Sequence, residues 1–302
     1  MVPGTRAGPR SVVPIASWRP PATLVGWGRF GLLVWFGMGM DMATFRELHR
    51  GNAPRLLPNA WDAGSALAFA AAGYPAVGTT SFGIAASAGL PDGGRTGKAA
   101  TAALAAQLCR LAVHITVDSE DGYSDDPAEV ADFVAELAAL GVAGVNLEDI
   151  TDGHLVAPAA FAAKIAAVKR RSPDMFVNAR VDNFWFGEQA AVDVVLRRAR
   201  AYADAGADGI FVPGGADPED IRGLTAGIGL PVNLLAHPSL SVSELWELGV
   251  RRVSSGSLPY RASVDAAVNV ANALRDGKQP LAATSYREMQ ARLEAHVAGN
   301  AP

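Results

Sequence analysis

The sequence predicts an α/β chain folded as a (β/α)8 TIM barrel with a C-terminal helical extension. Three observations carry this prediction. From about residue 55 onward, short apolar runs alternate with longer Ala-rich helical runs. A phrase made of a helix end, a Gly and a buried run recurs four times: Ala72-Gly73-Tyr74-Pro75-Ala76-Val77, Leu140-Gly141-Val142-Ala143-Gly144-Val145, Ala205-Gly206-Ala207-Asp208-Gly209-Ile210 and Leu248-Gly249-Val250-Arg251-Arg252-Val253. Each first Gly suits a left-handed helix end that a side chain would resist. Finally, eight such units fit within about 220 residues, which favours closure over an open sheet. An open dinucleotide-binding sheet would carry a glycine-rich loop after its first strand, where this chain has Trp61-Asp62-Ala63-Gly64-Ser65.

Residues 1–40 differ from the rest. They are rich in Pro and Arg and hold one apolar stretch, Gly31-Leu32-Leu33-Val34-Trp35-Phe36-Gly37-Met38, shorter than the ~20 residues that span a bilayer. No Ala-x-Ala cleavage pattern follows it. These residues read as a disordered or non-native leader, with a targeting segment and a docked helix as the other readings. Asp41-Met42-Ala43-Thr44-Phe45 then opens an amphipathic helix. The barrel is expected over 41–280, with strands at 55–60, 76–81, 113–118, 144–148, 176–181, 209–212, 231–235 and 252–255. The clearest helices are 127–140, with Asp126 as N-cap and Pro127 in the first turn, and 188–205. Residues 281–302 hold a last helix, at 285–297, expected to pack on a neighbouring subunit.

Half of the residues are hydrophobic and 19% are charged, enough to bury a substantial core. The net charge of -4, with no Lys/Arg stripe among aromatics, gives no footprint for nucleic acid. Neither nucleic acid nor a membrane is expected as a partner. Cys109 is the single cysteine, so no intrachain disulfide can form, which fits a reducing, cytoplasmic setting. It lies in an Ala/Leu-rich helical stretch and reads as core filler.

Active sites of this fold form at the C-terminal ends of the strands. Those ends carry Asn59, Trp61 and Asp62, then Thr79, Thr80 and Ser81, then Asp118, Glu120 and Asp121, then Glu148 and Asp149, then Arg180, Asp182 and Asn183. Four carboxylates on neighbouring strands, Asp118, Glu120, Glu148 and Asp149, would repel one another and call for a proton, an arginine or a cation. Oxygen ligands without a His or Cys cluster suit Mg²⁺ or Mn²⁺ better than zinc. Arg180 can offer a planar fork to a substrate carboxylate or phosphonate.

At these residues the chain resembles the isocitrate lyase/phosphoenolpyruvate mutase superfamily. The resemblance rests on Leu57-Pro58-Asn59-Ala60-Trp61-Asp62, Gly78-Thr79-Thr80-Ser81-Phe82-Gly83, Gly89-Leu90-Pro91-Asp92, Val117-Asp118-Ser119-Glu120-Asp121-Gly122-Tyr123, Asn146-Leu147-Glu148-Asp149 and Asn178-Ala179-Arg180-Val181-Asp182. It implies a barrel in a homo-oligomer, a tetramer whose subunits exchange their last helices. It implies that Asp118 contacts Mg²⁺ directly, while Asp92, Glu120 and Glu148 hold its waters. Thr80, Ser81 and Phe82 would bind a substrate carboxylate, partly through backbone N–H groups, and Arg180 would bind the substrate as well. The implied activity is that of a Mg²⁺-dependent lyase, cleaving a C–C bond next to an α-oxo or α-hydroxy carboxylate through a metal-stabilised enolate. The alternatives are P–C chemistry on phosphonopyruvate, as mutase or hydrolase, and a non-catalytic oxoacid-binding barrel. The Lys-Lys-Cys-Gly-His motif of isocitrate and methylisocitrate lyases is absent, and the segment after Asp149 is short. His154 in that segment is the available acid/base, beside Arg180 and Glu148 as the other catalytic candidates.

Overall fold

The computed structural model describes residues 44–51, 54–214 and 217–299, so the expectation for residues 1–40 lies outside the described residues. The strands are β1 (Arg55–Leu57), β2 (Asn59–Ala60), β3 (Ala76–Thr79), β4 (His114–Asp118), β5 (Gly144–Glu148), β6 (Ile150–Thr151), β7 (His154–Leu155), β8 (Phe176–Arg180), β9 (Gly209–Phe211), β10 (Val232–Leu235) and β11 (Arg252–Ser254). All eight expected strands form. The parallel order β1-β11-β10-β9-β8-β5-β4-β3-β2 begins and ends on the same stretch of chain, because only Pro58 separates β1 from β2. Proline lacks an N–H and interrupts the ladder. Its carbonyl still accepts the Gly78 N–H at 2.9 Å.

Asn59 locks this seam. Its Oδ1 accepts from Ser254 Oγ at 2.8 Å, Ser255 Oγ at 3.1 Å and the Gly256 N–H at 3.0 Å. Its Nδ2 donates to the Thr79 carbonyl at 2.7 Å. One side chain on β2 thus ties β3 to β11.

The four glycines of the recurring phrase all have left-handed φ: 86° at Gly73, 98° at Gly141, 102° at Gly206 and 94° at Gly249. Pro127–Leu140 is helical as expected, with Asp126 accepting from the Ala128 N–H at 2.8 Å. The helix expected at 188–205 is shorter, Val192–Asp204. Gln189 has a φ of 48°, and the Glu188 and Gln189 carbonyls accept from Asn183 Nδ2. Those carbonyls therefore serve a loop and not a first helical turn.

Alternate strand residues face opposite ways, as the period of two requires. Val117, Val145, Leu147, Val177, Ile210 and Val253 pack outward in one core with Leu137, Phe161, Ile165 and Leu224 of the helices. At the opposite end from the strand C-termini, the helix Phe45–Leu48, opened by a Thr44–Glu47 capping box, plugs the barrel. Phe45 meets Phe176 edge-on at 5.3 Å, and His49 stacks on Phe176 at 4.3 Å. Gly144 makes room for this plug, since a Cβ there would lie 2.8 Å from Phe45 Cε1.

Two further helices follow β11 among the described residues. Leu258–Arg275 buries none of its residues. Tyr286–Val297, capped by Ser285, lies against Ala63–Ala71. Among the described residues, no helix is long and apolar enough to cross a membrane.

Candidate active site

The C-terminal ends of the strands surround a cavity of about 640 Å³. Its lining includes Thr80, Ser81, Phe82, Asp92, Asp118, Glu120, Glu148 and Arg180. The expected metal-holding and substrate-binding residues therefore meet in one place. His154 does not join them: it is exposed on the β6–β7 hairpin, whose Ile150, Thr151, Asp152 and Gly153 face the cavity. Asp149 also departs from the expectation. It follows Glu148 on the strand, so it points to the helix layer, where it accepts from Arg198 Nη1 at 2.8 Å, Tyr202 Oη at 2.7 Å and the Asp182 N–H at 2.9 Å.

Asp118 ends β4. Its Oδ2 accepts the Ser81 N–H at 3.2 Å, while Oδ1 is buried with no hydrogen-bond partner. The Ser81 N–H, expected to serve a substrate carboxylate, is thus engaged by Asp118. Thr80 caps the helix Ser81–Ser87 through its hydroxyl. Beyond β4 the chain turns sharply: Glu120, Gly122 and Tyr123 have φ of 46°, 89° and 61°. Left-handed non-glycine residues are costly, and this pair is held by tertiary contacts. The Arg95 N–H donates to Glu120 Oε2 at 3.1 Å, and Tyr123 Oη lies 3.0 Å from Thr101 Oγ1.

Burial raises the Glu120 carboxyl to about 7, with Asp92, Asp118 and Asp121 adding to the effect and the Arg95 N–H opposing it. Burial and then Asp118 raise Asp92. Burial raises Glu148 well above the carboxylate range; Arg180 opposes this, and Asp182, Asp118 and Asp92 reinforce it. These shifts share one cause, negative groups crowded away from water.

Arg180, at the end of β8, is level with Glu148 on β5 and is paired with it. Its Nε donates to Asp182 Oδ1 at 2.9 Å, and its Nη2 lies 2.7 Å from the same oxygen. A guanidinium has five N–H groups. Two of them, on Nε and Nη1, donate to Asp182 and Glu148, so N–H groups on both terminal nitrogens remain without a hydrogen-bond acceptor. Phe211 and Trp185 flank the guanidinium at 5.6 and 5.8 Å.

Three site features were given no role by the sequence. Arg95 follows Gly93 and Gly94, and all three have left-handed φ. Its guanidinium binds Asp121, which also accepts from Lys164 Nζ and Thr151 Oγ1. Trp185 and Phe186 stand exposed at the rim. Asn146 lines the floor. Only the Gly-Gly pair before Arg95 hinted at an unusual turn.

Among the described residues, no three His, Cys, Asp or Glu side chains converge closely enough to hold an ion directly. The donor set nevertheless fits a hydrated Mg²⁺. It offers one unpartnered buried carboxylate oxygen, Asp118 Oδ1, with Asp92, Glu120 and Glu148 around the same cavity. Mg²⁺ commonly keeps several waters and takes few direct protein ligands.

Residues 45–275 match the family model described as phosphoenolpyruvate phosphomutase. An uncharacterized protein of Mycobacterium tuberculosis strain H37Rv is 50% identical over 250 residues, 83% of this chain and 96% of that protein. The 2-methylisocitrate lyase of Bacillus subtilis strain 168 is 31% identical over 241 residues, 74% of this chain and 77% of the lyase. Among solved structures, a proposed phosphonomutase from Burkholderia cenocepacia J2315 is 40% identical with a TM-score of 0.71, covering 76% of this chain and 97% of that one. With the barrel, the acid cluster and Arg180 in place, the chain belongs to the phosphoenolpyruvate phosphomutase family, within the isocitrate lyase/phosphoenolpyruvate mutase superfamily.

Proposed function

We propose that this protein is a Mg²⁺-dependent lyase that cleaves a C–C bond next to the oxo or hydroxy carbon of a small carboxylic or dicarboxylic acid. The observation that carries the reading is the crowding of Asp92, Asp118, Glu120 and Glu148 around one cavity beside Arg180. Asp118 would hold the ion directly, and the other three acids would hold its waters; Mn²⁺ satisfies the same oxygen donors. The bound ion would supply Lewis-acid stabilisation of negative charge developing on the substrate oxygen.

The N–H groups of Arg180 left on its terminal nitrogens suit one substrate carboxylate. Glu148 and Asp182 fix the guanidinium plane, so the fork is set before the substrate arrives. Thr80, Ser81 and Phe82 line the same cavity, and Phe82 and Trp61 both pack on Tyr260. His154 is exposed outside the cavity lining, so no step is assigned to it.

The test is pyruvate or oxoacid release from a panel of α-hydroxy and α-oxo dicarboxylates, with Mg²⁺ and with Asp118→Ala as control. Release no faster than with the control rejects the lyase reading. The likeness to the proposed phosphonomutase supports a second reading, P–C chemistry on phosphonopyruvate. Phosphorus NMR would then show phosphate or phosphoenolpyruvate forming. Metal-dependent binding without turnover in either assay would favour a non-catalytic oxoacid sensor.

The same reading includes a homo-oligomer. Leu258, Val264, Val268 and Leu274 are exposed on a helix that buries nothing, and Tyr286, Met289, Leu293 and Val297 are exposed on the last helix. Apolar faces of this extent suit burial against a second copy of the chain. Light scattering of the full chain measures the state.

A further inference from the structure

Asn146 lies on β5 in register with Asp118 on β4 and with Asn178 on β8, at the floor of the cavity it lines. Its Oδ1 accepts two hydrogen bonds, from Arg252 Nη2 and from Asn178 Nδ2, both at 2.9 Å. A guanidinium only donates. The Asn146 atom that meets Arg252 must therefore be the oxygen, and the choice between its two amide ends is not open. With the oxygen held by two donors, the amide NH₂ is the end left for the cavity.

Arg252 is 1% exposed and has no carboxylate partner among the described residues. Its Nε and Nη1 have no hydrogen-bond partner either. Enclosing an unpaired guanidinium is expensive. The hydrogen bond it does make orients Asn146. Its charge also lies near Asp118, which partly offsets the effect of burial on it. A fixed positive group thus sits beneath a floor that is otherwise ringed by acids.

We propose that the Asn146 amide is a substrate-contacting donor, giving a hydrogen bond to an oxygen of the bound oxoacid, and that Arg252 is the positioning residue that turns it toward the cavity. The inference rests on the preceding reading that the cavity takes a metal-held oxoacid. It adds a neutral donor on the floor to the charged fork of Arg180 on the wall. An anionic oxoacid is accepted there because the donor brings no further negative charge.

Oxalate, a planar dianion resembling a pyruvate enolate, is the probe, titrated calorimetrically into the full chain at saturating Mg²⁺. Asn146→Ala should weaken oxalate about tenfold or more, the cost of a hydrogen bond to a charged group. Asn146→Asp is near-isosteric, keeps an oxygen for Arg252 and Asn178, and turns a second oxygen toward the cavity. It should weaken oxalate further, even though its new charge pairs with Arg252. Arg252→Met should weaken oxalate as much as Asn146→Ala, and the double variant no more than either, because both remove one unit. Circular dichroism confirms folding, and the two Asn146 variants decide the matter if Arg252→Met does not fold. Wild-type affinity for oxalate in both Asn146 variants overturns the proposal. Weakening in those variants but not in folded Arg252→Met overturns the role of Arg252. Failure of the wild-type protein to bind oxalate overturns the oxoacid reading and this proposal with it, an outcome distinct from the other two.

Discussion

Asp118 Oδ2 accepts the Ser81 N–H at 3.2 Å, while its Oδ1 lies buried without a partner. One oxygen of this carboxylate is anchored to the start of the helix that follows the neighbouring strand β3, and the other is left for a ligand. If that ligand is Mg²⁺, its binding is linked to stability. At a free concentration 100 times its Kd, an ion binding only the folded chain adds about 2.7 kcal/mol. For a domain of this size, that is a rise in Tm of roughly 5–10 °C. Asp118→Asn keeps an oxygen for Ser81 and should abolish the rise. Differential scanning calorimetry with and without Mg²⁺ checks this, and an unchanged wild-type Tm counts against the site.

Removing Arg180 should be costly. Arg180→Met leaves Glu148 and Asp182 buried without their cation, a loss of about 3–5 kcal/mol by analogy with other broken buried pairs. Burial, outweighing the opposing pull of Arg180, raises Asp182 to about 6. Without Arg180 it should rise further. A carboxyl whose folded pKa exceeds its unfolded value gains stability as pH falls, because the folded state then binds more protons. The deficit should therefore shrink between pH 7 and 5, as urea unfolding at the two values would show. A deficit that grows at pH 5 contradicts the assignment.

His49 predicts the opposite trend at the other end of the barrel. Its Nδ1 lies 2.8 Å from the Phe45 carbonyl and so carries the proton, while Nε2 is buried without a partner. Burial lowers its pKa to about 3, with the charges of Arg252 and Arg55 adding. The unfolded chain binds this proton near 6.5 and the folded chain does not, so stability is complete above 6.5 and lost as pH falls toward 3. At pH 5 this group should cost about 2 kcal/mol relative to pH 7. His49→Phe removes that linkage. The variant's stability should fall less between pH 7 and 5 than the wild type's, measured by urea denaturation, and an equal fall refutes the assignment.

The seam at Asn59 can be tested with one atom. Asn59→Asp keeps the oxygen that accepts from Ser254, Ser255 and Gly256 but puts an acceptor against the Thr79 carbonyl. A buried acceptor facing another acceptor costs about 1–3 kcal/mol, and more when charged. Asn59→Asp should therefore be less stable than the wild type at pH 7, recovering in part as the acid is protonated. Thermal unfolding at pH 7 and 5 measures both effects.

Much of the fold could be read directly. The four helix-ending glycines and the eight buried strands are local properties, set by backbone sterics and by runs of apolar residues within a few positions. Asp118, Glu120, Asp92, Glu148 and Arg180 could be named as a group because strand ends in a closed barrel must converge. What the linear chain did not disclose was direction. Glu148 and Asp149 are adjacent and alike in charge, yet the strand turns one into the cavity and the other onto Arg198 and Tyr202. His154 looked available, but the hairpin turns it outward while Thr151, Asp152 and Gly153 face the cavity. The Asn146 amide takes its orientation from Arg252, 106 positions away. Local sequence decides which backbone shape a segment prefers and how many strands there are. Which side chains share a hydrogen bond depends on register between distant strands, and only barrel closure supplies that.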